Sequence, residues 1–220
     1  LNVNNDKTVC MNFISKRNYI KRDVPFYFNN VQLKNVEQHK YLGVIITTDL
    51  SNQCDIERHQ RTLYKQFYSF FRRFSFLDLI ALIFLFKSYC LNLYGSELWY
   101  SNKGCSQVLR NIAVAYHNCI KKMWGVSNRE SNHIICRMSD LLTFRHFMNK
   151  NLILFAHRVL STSSESLVRL KHYFSNHSFL IGEVNKILGS VYNCQYLMEN
   201  DPMVIKARIF FIDSHEEISR

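Results

Sequence analysis

The chain has 220 residues, enough for one or two domains with a sizeable core. Apolar residues make up 47% of it and aromatics 14%, which excludes a disordered chain, while six Gly and two Pro favour long helices over a turn-rich β fold. A formal net charge of +11 points to an anionic partner, most simply nucleic acid, with an ordinary basic protein as the alternative.

Residues 1–50 read as strands. Val9 to Ile14 forms a short apolar-rich strand, followed by a basic patch of Lys16, Arg17, Lys21 and Arg22. Pro25-Phe26-Tyr27-Phe28 and Val31-Gln32-Leu33 flank Asn29-Asn30. Asn tolerates positive φ, so this is a candidate two-residue hairpin. His39–Thr47 reads as a third strand, interrupted by Gly43, which weakens a strand unless a bulge forms or another backbone or ligand comes close. Three antiparallel strands need a neighbour to cover one face.

From there the chain reads as helix. Ser51 is the candidate N-cap of a first helix over 52–74. At 100° per residue Ile56, Leu63, Phe67, Phe70, Phe71 and Phe74 fall on one side, and Arg58, Arg61, Lys65 and Arg72 in a narrow stripe almost opposite. Asp78 opens a second helix, apolar almost all round through Leu93 and therefore expected to be buried, with Gly95 closing it. A third, about 106–124, buries Leu109, Ile112, Tyr116, Ile120 and Met123, with Lys121 and Lys122 in its last turn and Gly125 as its stop. Asp140 is the expected cap of another amphipathic helix, with Leu141, Phe144, Met148, Leu152, Phe155 and Val159 on one face. A polar break at 161–164 precedes shorter helices near 165–175 and 179–198, and Asp201-Pro202 opens a last one. No repeat or low-complexity tract occurs.

Seven scattered Cys with no Cys-x-x-Cys offer neither a zinc spacing nor a disulfide framework, and His133-Ile134-Ile135-Cys136 has no second ligand pair. Reduced, mostly buried thiols in an intracellular protein, cytoplasmic or nuclear, are expected, with no metal site. The run Leu79–Phe86 is far short of the ~20 residues that span a bilayer, so no membrane partner is expected. No charged-then-apolar leader stands at the start, so no signal peptide is expected, and the missing start Met with the abrupt strand motif suggests a piece of a longer protein.

Three stretches carry a family resemblance. Asn4-Asn5-Asp6-Lys7-Thr8 before a strand, Tyr41-Leu42-Gly43-Val44, and Tyr94-Gly95-Ser96-Glu97-Leu98-Trp99 together resemble the end of the palm and the thumb of a reverse transcriptase from a non-LTR (LINE-type) retrotransposon. The resemblance covers roughly the first 125 residues. It implies an α+β, mostly α fold: a small antiparallel hairpin or three-strand platform at 1–50, a helical thumb at 51–125, and a helical connector of unassigned role at 126–220. It implies RNA and DNA as partners, in the form of template–primer, and no small-molecule cofactor. The parent would use Mg2+, held by aspartates in an upstream polymerase domain that this chain lacks; no Asp-Asp pair is present.

By the same resemblance Lys7 is the palm lysine, a cation near the incoming nucleotide's phosphates, although Asp6 stands where an apolar residue is usual. Tyr41, Leu42 and Gly43 resemble the primer-grip hairpin, where a missing side chain lets a nucleic-acid backbone approach. The alternatives are a surface lysine and a glycine bulge. Arg58, Arg61, Lys65 and Arg72 are the candidate phosphate contacts, set against a merely solvated helix face. Asp6, Asp23, Asp49 and Asp55 read as turn or cap residues, Trp99 and Trp124 as core rather than base-stacking residues, and His117, His133, His146 and His157 as structural. The expected function is a fragment of an RNA-directed DNA polymerase that grips template–primer and is by itself inactive. The alternatives are a stand-alone helical nucleic-acid-binding module derived from such an element, and a helical scaffold whose charge is incidental.

Overall fold

The computed structural model describes residues 8–13, 25–28, 30–101 and 106–161. They form an α+β, mostly helical structure in which six short strands precede the helices. The helices expected beyond 161, the basic patch at 16–22 and Asn29 lie outside the described residues.

The strands do not make one platform. They form three separate two-stranded ribbons. β1 (Val9–Cys10) pairs in parallel with β4 (Lys34–Asn35), extended by Val36 N donating to Cys10 O. β2 (Tyr27–Phe28) and β3 (Val31–Gln32) are antiparallel with Phe28 opposite Val31, the pairing that the expected two-residue turn requires, and Asn30 takes φ 61°. The third strand expected at 39–47 is instead a hairpin, β5 (Gln38–Tyr41) and β6 (Val44–Thr47), with Tyr41 opposite Val44. It folds at Leu42 and Gly43, whose φ values of 46° and 89° are those of a type I′ turn. The glycine that weakened the strand reading is the turn itself.

Thr47 and Asp49 carry the chain into the helices. Thr47 Oγ1 donates to Asp49 Oδ1 at 2.6 Å, and Ser51 N donates to both side chains at 3.0 Å. α1 runs Gln53–Phe74, one residue later than expected, with Asn52 at the N-cap. Ser51 Oγ still accepts from Gln53 N, while Asn52 reaches across to donate to Leu98 O at 2.9 Å. α2 is Leu79–Cys90, capped as expected by Asp78, which accepts from Ala81 N at 2.7 Å. A 3-10 helix, Ser96–Ser101, precedes α3 (Ser106–Trp124). α4 (Asn132–Met138) was not anticipated, being too short to show a period. α5 is Phe144–Ser161. Asp140 does not cap it: this residue sits in a turn at φ 50° and pairs with Lys87, and the helix enters through Thr143.

One cluster of buried side chains runs from Ile56 on α1 to Ala156 on α5. Its spine is aromatic. Phe67 meets Phe86 at 6.2 Å, Phe86 meets Tyr116 at 5.8 Å, and Tyr116 meets Phe144 at 5.6 Å, so one ring from each of α1, α2, α3 and α5 joins the chain. Such pairs add about 0.5–1.5 kcal/mol each beyond the area they bury. Tyr116 keeps its hydroxyl satisfied by donating to Leu142 O at 2.6 Å. Because the Phe-rich face of α1 is the one spent on this core, its opposite face is held toward solvent.

The second helix departs from expectation. Leu82, Ile83, Phe86 and Cys90 are buried, but Ile80 is 81% and Phe84 68% exposed. α2 packs on α1 and α3 with one side only, and composition alone does not say how many sides a helix has covered. Among the described residues no helix is long and apolar enough to cross a membrane.

Candidate nucleic-acid interface

Asp55 organises the region. It sits in the first turn of α1 at 1% exposure. Oδ1 accepts from Arg58 Nη2 at 2.7 Å and from Ile45 N of β6 at 3.1 Å, and Oδ2 accepts from Trp99 Nε1 at 3.1 Å. Ile45 stands opposite Lys40, one step from the Tyr41–Val44 pair that closes the turn. In an antiparallel ladder alternate N–H groups point away from the partner strand, so this carboxylate satisfies an otherwise open edge. Expected as a turn or cap residue, Asp55 instead ties the hairpin, α1 and the 3-10 helix together. Besides Arg58, its partners are 10 and 44 residues away in sequence, which no local pattern reveals.

Arg58 completes the tie. Its Nη2 donates to Gly43 O at 2.8 Å, fixing the I′ turn, and to His59 Nε2 at 2.7 Å. Arginine has only donors, so His59 Nε2 accepts and the ring is the Nδ1–H tautomer. Burial first, then the Arg58 guanidinium, hold the His59 pKa below its ordinary value, against a pull upward from Asp55 and a backbone hydrogen bond with Tyr94. The ring is thus neutral, edge-on to Trp99 at 5.2 Å. Trp99 is core, as expected, and Trp124 is half-buried with Nε1 donating to Ser139 Oγ.

The Tyr-Leu-Gly-Val and Tyr-Gly-Ser-Glu turns meet directly. A Cβ on Gly43 would lie 3.6 Å from the Tyr94 ring, and one on Gly95, at φ 79°, would lie 2.9 Å from Val44 Cγ2. Both glycines serve a close approach of two turns as well as their own φ.

The sequence-predicted site residues divide into groups. Tyr41 and Leu42 stand at the hairpin tip, 60% and 74% exposed. Arg61, Lys65 and Arg72 are exposed along α1. Arg58 is not with them: its head is drawn into the Asp55 pair, because a buried carboxylate one turn earlier outcompetes solvent for it. Lys7 lies outside the described residues.

The Mg2+ that the resemblance implies does not fit these carboxylates. Asp55 spends its oxygens on Ile45, Arg58 and Trp99, Asp78 caps α2, Asp49 accepts from Thr47 and Ser51, and Asp140 pairs with Lys87. Among the described residues no group of three or more His, Cys, Asp or Glu comes together to hold a metal ion.

Two further described histidines contact backbone and hydroxyl groups. His117 Nε2 accepts from Phe144 N at 3.4 Å, and His146 Nδ1 meets Thr143 Oγ1 at 2.6 Å. Burial chiefly lowers the His117 pKa to about 4. Burial raises the Cys90 thiol to about 12 and the Cys119 thiol further, so both are inert, protonated core residues. Comparison with protein-family models, with curated proteins and with solved structures finds no match to this chain.

Proposed function

We propose that this chain is the part of a LINE-type RNA-directed DNA polymerase that grips template–primer. On this reading the hairpin β5–β6 is the end of the palm with its primer grip, α1 to α3 are the thumb, and the catalytic carboxylates and Mg2+ belong to a polymerase domain outside these residues. Tyr41, Leu42 and Gly43 meet the primer, and Arg61, Lys65 and Arg72 meet phosphates. Lys7 keeps the leaving-group role that the resemblance implies, and Arg58 becomes a positioning residue.

One observation carries the reading. The stretches Tyr41–Val44 and Tyr94–Trp99, which bear the resemblance, are distant in sequence yet share one buried network through Asp55, Arg58 and Trp99. A further support is Leu42, a non-glycine residue at positive φ whose side chain is left in solvent. Strain of that kind with no packing return is typical of residues kept for contact with a ligand.

The test is fluorescence anisotropy of the full chain with a labelled RNA–DNA hybrid at several salt concentrations. Binding that weakens linearly in log salt, without sequence preference, is expected. No binding at low salt overturns the reading. A stand-alone nucleic-acid-binding module derived from such an element is the second reading, favoured by the engagement of every described aspartate in structural contacts. An upstream reading frame continuous with this one and encoding an Asp-Asp turn decides for the first, and a separate start codon for the second.

A further inference from the structure

The exposed stripe of α1 is not purely cationic. Arg61, Lys65, Tyr68 and Arg72 follow at intervals of four, three and four residues, which places all of them on one helical line. Tyr68 is 48% exposed in the middle of that line. Its ring is held from behind: Tyr64 lies against it with centroids 6.2 Å apart and planes 21° apart, and Phe67 meets it edge-on at 5.2 Å. Tyr64 is half-buried and packed against the core, and Phe67 is fully buried in it. The aromatic is therefore presented in a fixed orientation, at little entropic cost to a ligand that stacks on it.

A regular duplex offers a helix phosphates, sugars and base edges but no base face, since its bases are stacked on one another. A rigid, half-open aromatic set between phosphate-binding cations is the arrangement that unpaired bases use. We propose that Tyr68, backed by Tyr64, is a base-stacking platform, so that the α1 stripe binds a single-stranded segment of RNA or DNA adjoining the duplex and not the duplex alone. This rests on the reading of Arg61, Lys65 and Arg72 as phosphate contacts.

The experiment compares anisotropy titrations of the full chain with four labelled hybrids: blunt, with an RNA overhang, with a DNA overhang, and with an overhang of equal length lacking bases. At least one base-bearing overhang is expected to bind roughly 5- to 150-fold tighter than the blunt hybrid, the range for stacking one base on an aromatic. The abasic overhang should keep only a minor part of that gain. Tyr68→Ala should abolish the gain while leaving the blunt-hybrid affinity and its salt slope unchanged, and Tyr68→Trp should retain it. Equal affinity for blunt and overhanging hybrids, or equal loss on all four with Tyr68→Ala, overturns the platform but leaves the phosphate reading standing. Absence of salt-dependent binding to any of them overturns both. Circular dichroism of Tyr68→Ala, whose side chain is half in solvent, verifies that the fold is intact.

Discussion

Asp55 is the residue whose loss the structure feels most. Truncating one partner of a buried ion pair leaves the other charge unmatched, and here an indole N–H and a strand N–H are stranded as well. Asp55→Ala is expected to destabilise by about 3 kcal/mol or more, read as a lower urea midpoint with unchanged m. Asp55→Asn keeps the shape and one acceptor oxygen and should cost less. His117 supplies the pH dependence. Its folded pKa, about 4, lies below the ordinary 6.5 because burial disfavours the cation, with Lys121 and His133 adding like charge and the Ala113 backbone opposing them. Between those values the unfolded chain binds the proton and the folded chain does not. Stability is thus complete above pH 6.5 and falls as pH drops toward 4. His59 is shifted in the same direction and adds to the fall. For His117 the slope is expected to approach about 1.4 kcal/mol per pH unit. Urea titrations of wild type and His117→Gln across this window check it, and an unchanged slope in the variant removes the assignment.

At the scale of the element, the two turns that meet are the sensitive points. Gly95→Ala would place a Cβ against Val44 and force a side chain into positive φ. A loss of about 1–2 kcal/mol from backbone strain alone is expected, and pairing it with Val44→Ala should recover the steric part only. A double-mutant cycle by thermal denaturation separates the two. Leu42 behaves in the opposite sense. Asn tolerates the left-handed region better than Leu, so Leu42→Asn should raise stability by up to about 1 kcal/mol. On the proposed reading the same change weakens hybrid binding, because the exposed apolar tip is lost. A variant that is both more stable and an undiminished binder argues against the tip as a grip.

At the scale of the molecule, the aromatic spine from α1 to α5 holds the cationic line of α1 outward. Replacing Arg61, Lys65 and Arg72 together with Gln should leave the core untouched and lower the slope of log affinity against log salt by about 0.9 for each phosphate that is no longer neutralised. Arg58→Gln should instead lower stability, its head being tied to Asp55 and Gly43. The amino-acid sequence by itself determined the helical weight of the fold, the pairing of 27–28 with 31–32, the Asp78 cap, the limits of α3 and the two-faced character of α1. These depend on periodicity and on the chemistry of a few adjacent residues, which any stretch carries with it. Only the structure showed that the strand read at 39–47 is split at Leu42-Gly43, that α2 leaves Ile80 and Phe84 in solvent, and that Arg58 leaves the cationic line for Asp55. The physical reason is common to all three. Periodicity records how side chains are spaced along an element but not what is brought against it, whether a turn within the run, a carboxylate one helical turn away or a helix tens of positions on.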